Sequence, residues 1–488
     1  MSKIQSYILN NNGLNLPVFN ENKTLSMERY QAYIFNYREA NLHLLITIFF
    51  GLFLDSAGMT FKFLFMPYVL YLMLNRREEH VPGLIIMLSY GNILTIFAGF
   101  VSLYFSLSRI KTIKQSGYYW YWLILIWMLP VYIALIFMRL PIYGFIGAFT
   151  SIEHYIVFWF LIYGVLNSDI ITRRMLNFTI FPFLLLLVLN TTNIIPSDSL
   201  KILFRMTGLI ELIIFLMLFK LYRRELNFKG SIYIRLSMLI YIPVRIFYFS
   251  DYKFTALLAL LIALFFVFKR ADFLQYNPSL LAIRMKRKAN IVVLFPVVFT
   301  IITLLLTPFL VYDFSDVNLE NYYQNDSGII QVILGKLFVD RGVLWLSVVD
   351  TISGIGSFFP STNIINIQLN LLLSDVGSIE EISFGAHNIL LELMRTEGVF
   401  FGLILSFLYL NQIKRLVDNT INNDPTVNLY RFALVGIGIA VFTTGMYTIS
   451  LNVAFIYMFL SGSLALSNDN LLIDNNASIY VKSSRPST

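Results

Sequence analysis

His387 and Asn388 open the stretch HNILLELMRTEGVFFGL, where Glu392, Arg395 and Glu397 follow before the chain turns wholly apolar. Histidine, with an unperturbed pKa of about 6.5, is a base poised near neutrality. Asn388 can orient that ring or cap a helix starting beside it, and Glu392, four residues on, shares its helical face. Upstream, Arg341 follows Asp340 and stands four residues before Trp345. A guanidinium is a rigid fork suited to anionic oxygens. A base and an anion ligand are parts of a group-transfer site. Each also has a plainer reading: His387 as an interfacial polar residue, Arg341 as a headgroup anchor, and Glu392 and Glu397 as ion-pair partners of Arg395.

These groups sit in an unusual chain. Its 488 residues are 57% hydrophobic and 13% charged, with a mean hydropathy of +0.71. Water-soluble domains do not have this composition. Charged groups are costly in lipid, so their presence beside apolar runs asks for a reason. Cysteine is absent, which excludes disulfides, iron–sulfur clusters and thiol catalysis. The four histidines are His43, His80, His154 and His387. No two lie at helix-face spacing, so the expectation is no metal and no cofactor. The net charge of +8 comes from Lys/Arg clusters at the ends of apolar runs. It reads as topology information and contact with membrane lipids, not nucleic-acid binding.

Apolar runs fall at about 41–56, 59–74, 83–106, 119–138, 142–166, 176–192, 203–219, 231–248, 253–268, 290–311, 389–410, 432–449 and 452–466. They predict an all-α polytopic membrane protein with about 12–14 transmembrane helices. Residues 1–40 form a polar N-terminal segment without a signal-peptide core. Helices occupy 41–311 and 389–466, and 467–488 is a cytoplasmic tail. Lys/Arg clusters at 220–229, 269–288 and 414–415 mark cytoplasmic connections. That orientation puts 312–388 outside. In the first half, Arg76–Arg77 and the Arg109, Lys111, Lys114 cluster both read as cytoplasmic. One span lies between them, so either one cluster faces out or that segment is wrongly drawn.

The outer loop is about 77 residues long, well beyond ordinary connections. From Ile329 to Ile352 its apolar residues recur at helical spacing, which predicts amphipathic helices resting on the bilayer or the protein. Gly354 and Gly356 then permit a tight turn, and LSDVGSIEE reads as a polar connector.

The stretch HNILLELMRTEGVFFGL resembles the His-Asn-x-x-Leu…Gly-x-x-x-Gly signature of the O-antigen polymerase and ligase superfamily. RGVLWLSVVDTISGIGSFF resembles that superfamily's other landmark, an arginine a few residues before a tryptophan and then a Gly-x-Gly turn, here Arg341, Trp345, Gly354 and Gly356. The match covers about residues 335–405. The resemblance implies a GT-C-like bundle with a large, partly helical extracytoplasmic loop. It also implies a metal-independent glycosyltransferase that moves a glycan from undecaprenyl diphosphate to a hydroxyl acceptor on the outer face of a bacterial inner membrane.

On that resemblance His387 is the candidate base and Arg341 the diphosphate ligand, with Asn388, Glu392 and Trp345 in support. The superfamily commonly adds a second arginine from the membrane bundle; Arg245 and Arg205 are the candidates, and Arg139 is another if it faces outward. Gly398 and Gly402 form a small-xxx-small pair that lets a neighbouring helix approach. The expected activity is a Wzy-type polysaccharide polymerase acting on lipid-linked oligosaccharides, with a chain-length regulator as the partner such an enzyme would take. An O-antigen ligase is the alternative. A flippase is a third reading and would require paired broken helices at mid-membrane.

Overall fold

The apolar runs fold as helices wherever the structure describes them. The structure, a computed structural model, describes residues 36–57, 62–88, 92–168, 286–310, 341–355, 358–360, 367–372, 379–384, 386–419, 427, 430–431, 434–439 and 451–466. Helix α1 spans Tyr37–Ala57, and a 3-10 turn at Phe63–Phe65 leads into α2, Met66–Leu74. Then come α3 (Val81–Leu88), α4 (Asn92–Ser108), α5 (Ile110–Gln115), α6 (Tyr119–Thr150), α7 (Glu153–Leu166), α8 (Ala289–Leu310) and α9 (Arg341–Ile355). Strands β1 (Ile367–Leu372) and β2 (Ile379–Phe384) precede α10 (Ile389–Asp418) and α11 (Leu451–Ala465).

Among the described residues, three segments are long and apolar enough to cross a membrane: Tyr119–Leu166, Ala289–Phe309 and Ile389–Asp418. Their outward faces carry Trp120, Trp127, Phe137, Leu294, Phe295, Leu305 and Phe309, all exposed. An apolar surface of that extent suits lipid and not water. The chain is a helical membrane protein.

Helix α7 is the hub, buried along its length. It packs against α4, α6, α10 and α11. Small residues set the closest approach: a Cβ at Gly164 would collide with the Phe459 carbonyl, and one at Gly462 with the Leu161 carbonyl. With no Cβ in the way, α7 and α11 touch backbone to backbone. Ser463 Oγ donates to the Gly164 carbonyl at 3.0 Å.

The conflict between the two basic clusters has a structural answer. Segment 83–106 is not one span. Arg76 Nε donates to Asn167 Oδ1 at 2.9 Å, and Tyr163 Oη donates to the Met73 carbonyl at 2.9 Å, so Arg76 lies at the C-terminal end of α7. Helix α4 runs alongside α7 in the same direction: Phe100 meets Phe149 (ring centroids 5.3 Å apart) and Phe105 meets Tyr163 (5.9 Å). Arg109, just past the end of α4, therefore reaches the same end. Helices α3 and α4 leave and return to one face, which carries both clusters.

That face also holds the end of α10. Arg415 Nη2 donates to the Gly117 carbonyl at 2.9 Å, and its guanidinium covers the Tyr118 ring at 4.4 Å. Tyr118 donates its hydroxyl to Gln412 Oε1 at 2.8 Å. Burial pushes this phenol up to about 12, against the lowering effect of Arg415, so it stays a donor at neutral pH.

Several boundaries differ from expectation. The break foreseen near residue 140 is present a few residues on, at Gly144 (φ 69°, ψ −179°), and helical turns resume beyond it to Thr150, with Pro130 and Pro141 both accommodated inside α6. Helix α10 runs to Asp418 and takes Lys414 and Arg415 into its last turns. Gly354 belongs to α9 instead of a turn; Gly356 lies outside the described residues. An antiparallel hairpin, β1 with β2, is the departure from an all-helical fold, setting Ile367 opposite Phe384 and Leu369 opposite Ile382. Alternation in IQLNL is the signal for a strand, and the reading of that loop as helices and connector passed over it. Arg205 and Arg245, with all of 169–285, lie outside the described residues.

Candidate functional site

Asn388 begins α10 with an extended backbone (φ −150°, ψ 121°). Its Oδ1 accepts from the Leu390 and Leu391 N–H groups at 3.0 and 3.3 Å, which is helix capping. Its Nδ2 donates to Thr300 Oγ1 on α8 at 2.9 Å. Glu392 reaches back, its Oε2 accepting from the Ala386 N–H at 2.9 Å. Glu392 is also held by both nitrogens of a fork, Arg395 Nε at 3.2 Å and Arg395 Nη2. The pairing of Glu392 with Arg395 is thus real, and Glu397 looks elsewhere.

His387 lies between these two anchored neighbours and takes a left-handed backbone, φ +49°. A side chain other than glycine is disfavoured there, and such strain persists only where the surroundings over-determine it. Here the Ala386 N–H and the Asn388 side chain both do so. The ring is half-buried.

Arg341 is the first residue of α9. Gly342 lets α9 lie against α8, since a Cβ there would overlap Thr307. Trp345, one turn on, is fully buried and packs with Leu344, Val348, Ala386 and Leu391, with Phe299 edge-on at 6.3 Å. Trp345 is a packing residue. It joins the helix that carries Arg341 to the turn that carries His387. Thr300, Thr303 and Thr307 form the buried stripe of α8 that receives both. Their spacing of three and four was visible in the sequence as a polar face on an apolar helix, and sequence reasoning passed over it.

Gly398 is not a helix-contact glycine. Its φ of +76° and ψ of 161° break α10, and the Phe358–Phe359 segment fills the gap. A Cβ at Gly398 would stand 2.6 Å from the Phe359 carbonyl oxygen, and Phe358 O accepts from the Phe400 N–H at 3.0 Å. A Cβ at Gly402 would meet Met394 across the break. The Gly-x-x-x-Gly pair is a kink, stitched by the Phe358–Phe359 segment, because a freed backbone group in lipid needs a partner.

Below the kink is a second constellation. Glu397 Oε2 accepts from the Tyr132 hydroxyl on α6 at 2.6 Å, and Glu397 Oε1 lies 3.8 Å from His154 Nδ1 on α7. Arg139 donates to the Ser151 carbonyl at 3.0 Å and is close enough to act on the charge of Glu397. Arg139, His154, Glu392 and Glu397 are all under 9% exposed. Tyr132 stacks on Tyr155 at 3.8 Å. Tyr132 and Tyr155 together line an apolar groove with Gly99, Leu129, Ile156 and Trp159. A guanidinium, a carboxylate and an imidazole thus gather around Tyr132, whose ring lines an apolar groove. Arg139 and Glu397 stood out in the sequence as charges beside apolar runs, and His154 as one of the four histidines. Tyr132 did not, being one of 29 tyrosines.

Depth follows from helical rise. Arg139 is twenty residues past Tyr119, about 30 Å along an α-helix, and stands five residues before the Gly144 break, in the half of α6 away from Arg415, whereas Tyr132 is about 20 Å along. Among the described residues, the one group with metal-ligand geometry is Glu39, His43 and His80, away from this cluster. No family model, curated protein or solved structure matches the chain.

Proposed function

We propose that the chain is a membrane glycosyltransferase of the O-antigen polymerase and ligase type. It would be a polysaccharide polymerase that moves a growing glycan from undecaprenyl diphosphate onto the next lipid-linked repeat unit, at the outer face of a bacterial inner membrane. The observation that carries this reading is that Tyr132 both lines an apolar groove and hydrogen-bonds Glu397 of the buried Arg139–Glu397–His154 cluster. An apolar slot meeting a cationic, proton-active site is the surface that a polyprenyl diphosphate requires. The arginines at 76–77, 109 and 415 mark the opposite face as cytoplasmic, which leaves the cluster and the His387 turn outward.

In this mechanism the acceptor hydroxyl attacks the anomeric carbon of the donor. The new glycosidic C–O bond forms, the C–O bond to diphosphate breaks, and the hydroxyl proton passes to His387. Arg341 takes up the charge developing on the leaving diphosphate. Arg139 is the membrane arginine whose surroundings suit the second cation. Its neighbour Tyr132 leads to the groove that would take the prenyl tail. The GT-C-like bundle, the lipid-linked substrates and a chain-length regulator belong to the same proposal.

A transporter reading has one observation in its favour: α6 and α10 are both broken, at Gly144 and Gly398. Transporter sites built on broken helices lie near the midplane, whereas Arg139 is about 30 Å from the other end of α6. The deciding experiment is the glycan on undecaprenyl diphosphate in a strain lacking the gene. Single repeat units accumulate if the chain is the polymerase. Long stranded polymer means ligase, and absence of repeat units from the outer face means transporter and withdraws His387 and Arg341 from catalysis.

A further inference from the structure

The sequence offers no two histidines at helix-face spacing, yet the fold makes a histidine pair. His43 on α1 and His80, just before α3, meet edge to face with centroids 4.4 Å apart. Glu39, one helical turn before His43, completes the group, and one ligand atom from each of the three lies within 4.8 Å of the others. We propose that Glu39, His43 and His80 form a zinc site that ties α1 to the α2–α3 connection at the Arg76 face, remote from the His387 turn.

The geometry argues for a metal over a simple ion pair. His80 Nε2 stands 3.5 Å from Glu39 Oε1, longer than a good charge-assisted hydrogen bond of about 2.7–2.9 Å. A tetrahedron with bonds of about 2.0–2.1 Å has edges of about 3.3 Å. His43 Nδ1 is 2.8 Å from the Tyr68 hydroxyl, which orients the ring and leaves Nε2 for a metal, the usual support of a ligating histidine. His80 is 1% exposed, and its Nδ1 has no hydrogen-bond partner among the described residues. A buried imidazole so placed fits a ligand that a cation would complete. Two imidazoles and a carboxylate with a fourth position open suit Zn²⁺ better than Mg²⁺ or Ca²⁺, which prefer oxygen. The competing cation is Arg77, with Nη1 3.8 Å from Glu39 Oε1; its side chain is 68% exposed and free to swing into water.

The test uses the full-length, tag-free chain in detergent, stripped with chelator and titrated with Zn²⁺, with Mg²⁺ and Ca²⁺ as controls. We expect one Zn²⁺ per chain and a melting temperature that rises with Zn²⁺ alone. His80→Ala, His43→Ala and Glu39→Gln should abolish both effects. Tyr68→Phe, which keeps every ligand, should weaken binding about 10- to 100-fold. Should the ligand variants fail to fold, Co²⁺ added to the wild-type chain decides: intense four-coordinate d–d absorption supports the site. No stoichiometric Zn²⁺, variants that bind like wild type, or a weak six-coordinate Co²⁺ spectrum overturns it, leaving His80 and Glu39 as an ion pair.

Discussion

The Tyr132 hydroxyl donates to Glu397 Oε2 at 2.6 Å across 265 positions of sequence. That bond joins α6 to α10 directly below the Gly398 kink and makes Tyr132 the residue shared by the apolar groove and the charged cluster. Tyr132→Phe removes the donor and keeps the ring. A buried carboxylate then loses its partner, at a cost of about 1–3 kcal/mol. A thermal melt in detergent should show the loss, and repeat-unit polymerisation should fall with it. Unchanged stability would mean that the Glu397 carboxylate is held by other groups.

Arg139→Lys keeps the charge and loses the planar fork. If Arg139 grips a diphosphate, polymerisation by the purified protein should drop by about tenfold or more, the equivalent of about 1.4 kcal/mol, while the melting temperature moves little. Arg139→Ala should abolish activity. An active Arg139→Ala protein would return the second-cation role to Arg205 or Arg245.

Gly398 and Gly144 make a matched pair. Both have positive φ, but a Cβ at Gly144 meets nothing within 4 Å, whereas one at Gly398 meets the Phe359 carbonyl. Gly144→Ala should cost only backbone strain, about 1–3 kcal/mol. Gly398→Ala should cost about 1–3 kcal/mol for strain and should also displace the Phe358–Phe359 segment. Protease cleavage near Phe359 should rise in Gly398→Ala and stay unchanged in Gly144→Ala.

Asn388 does two jobs that can be separated. Asn388→Ala loses the cap and should destabilise by about 1–2 kcal/mol. Asn388→Asp keeps the capping oxygen but cannot donate to Thr300, so its loss should be smaller. Melts of the two variants beside Thr300→Val resolve the contributions, and equal losses for both Asn388 variants would place the whole effect in the Thr300 bond.

His387 carries strain, so its removal should separate stability from activity. His387→Gly relieves the left-handed backbone and should raise or preserve stability by up to about 1 kcal/mol. It should also abolish glycan extension. An active His387→Gly protein would remove the proposed base.

Some of this was legible from residues alone. Membrane character, the helical runs and the attention drawn to His387, Asn388, Glu392 and Arg341 follow from local hydropathy and spacing, because partition into lipid is close to a sum over neighbouring residues. The cap at Asn388 and the Glu392–Arg395 pair are contacts within about a turn of helix. What spacing could not supply are the contacts that close over long stretches of chain. Tyr132 with Glu397, His43 with His80, the return of α3 and α4 to one face, and the docking of Phe358 into the kink at Gly398 each need two distant segments placed side by side. Glycine shows the difference most plainly. A Gly-x-x-x-Gly pair fits a helix contact and a helix break equally well by sequence. Only the tertiary packing, which set the Phe359 carbonyl 2.6 Å from where a Cβ would stand, decided for the break.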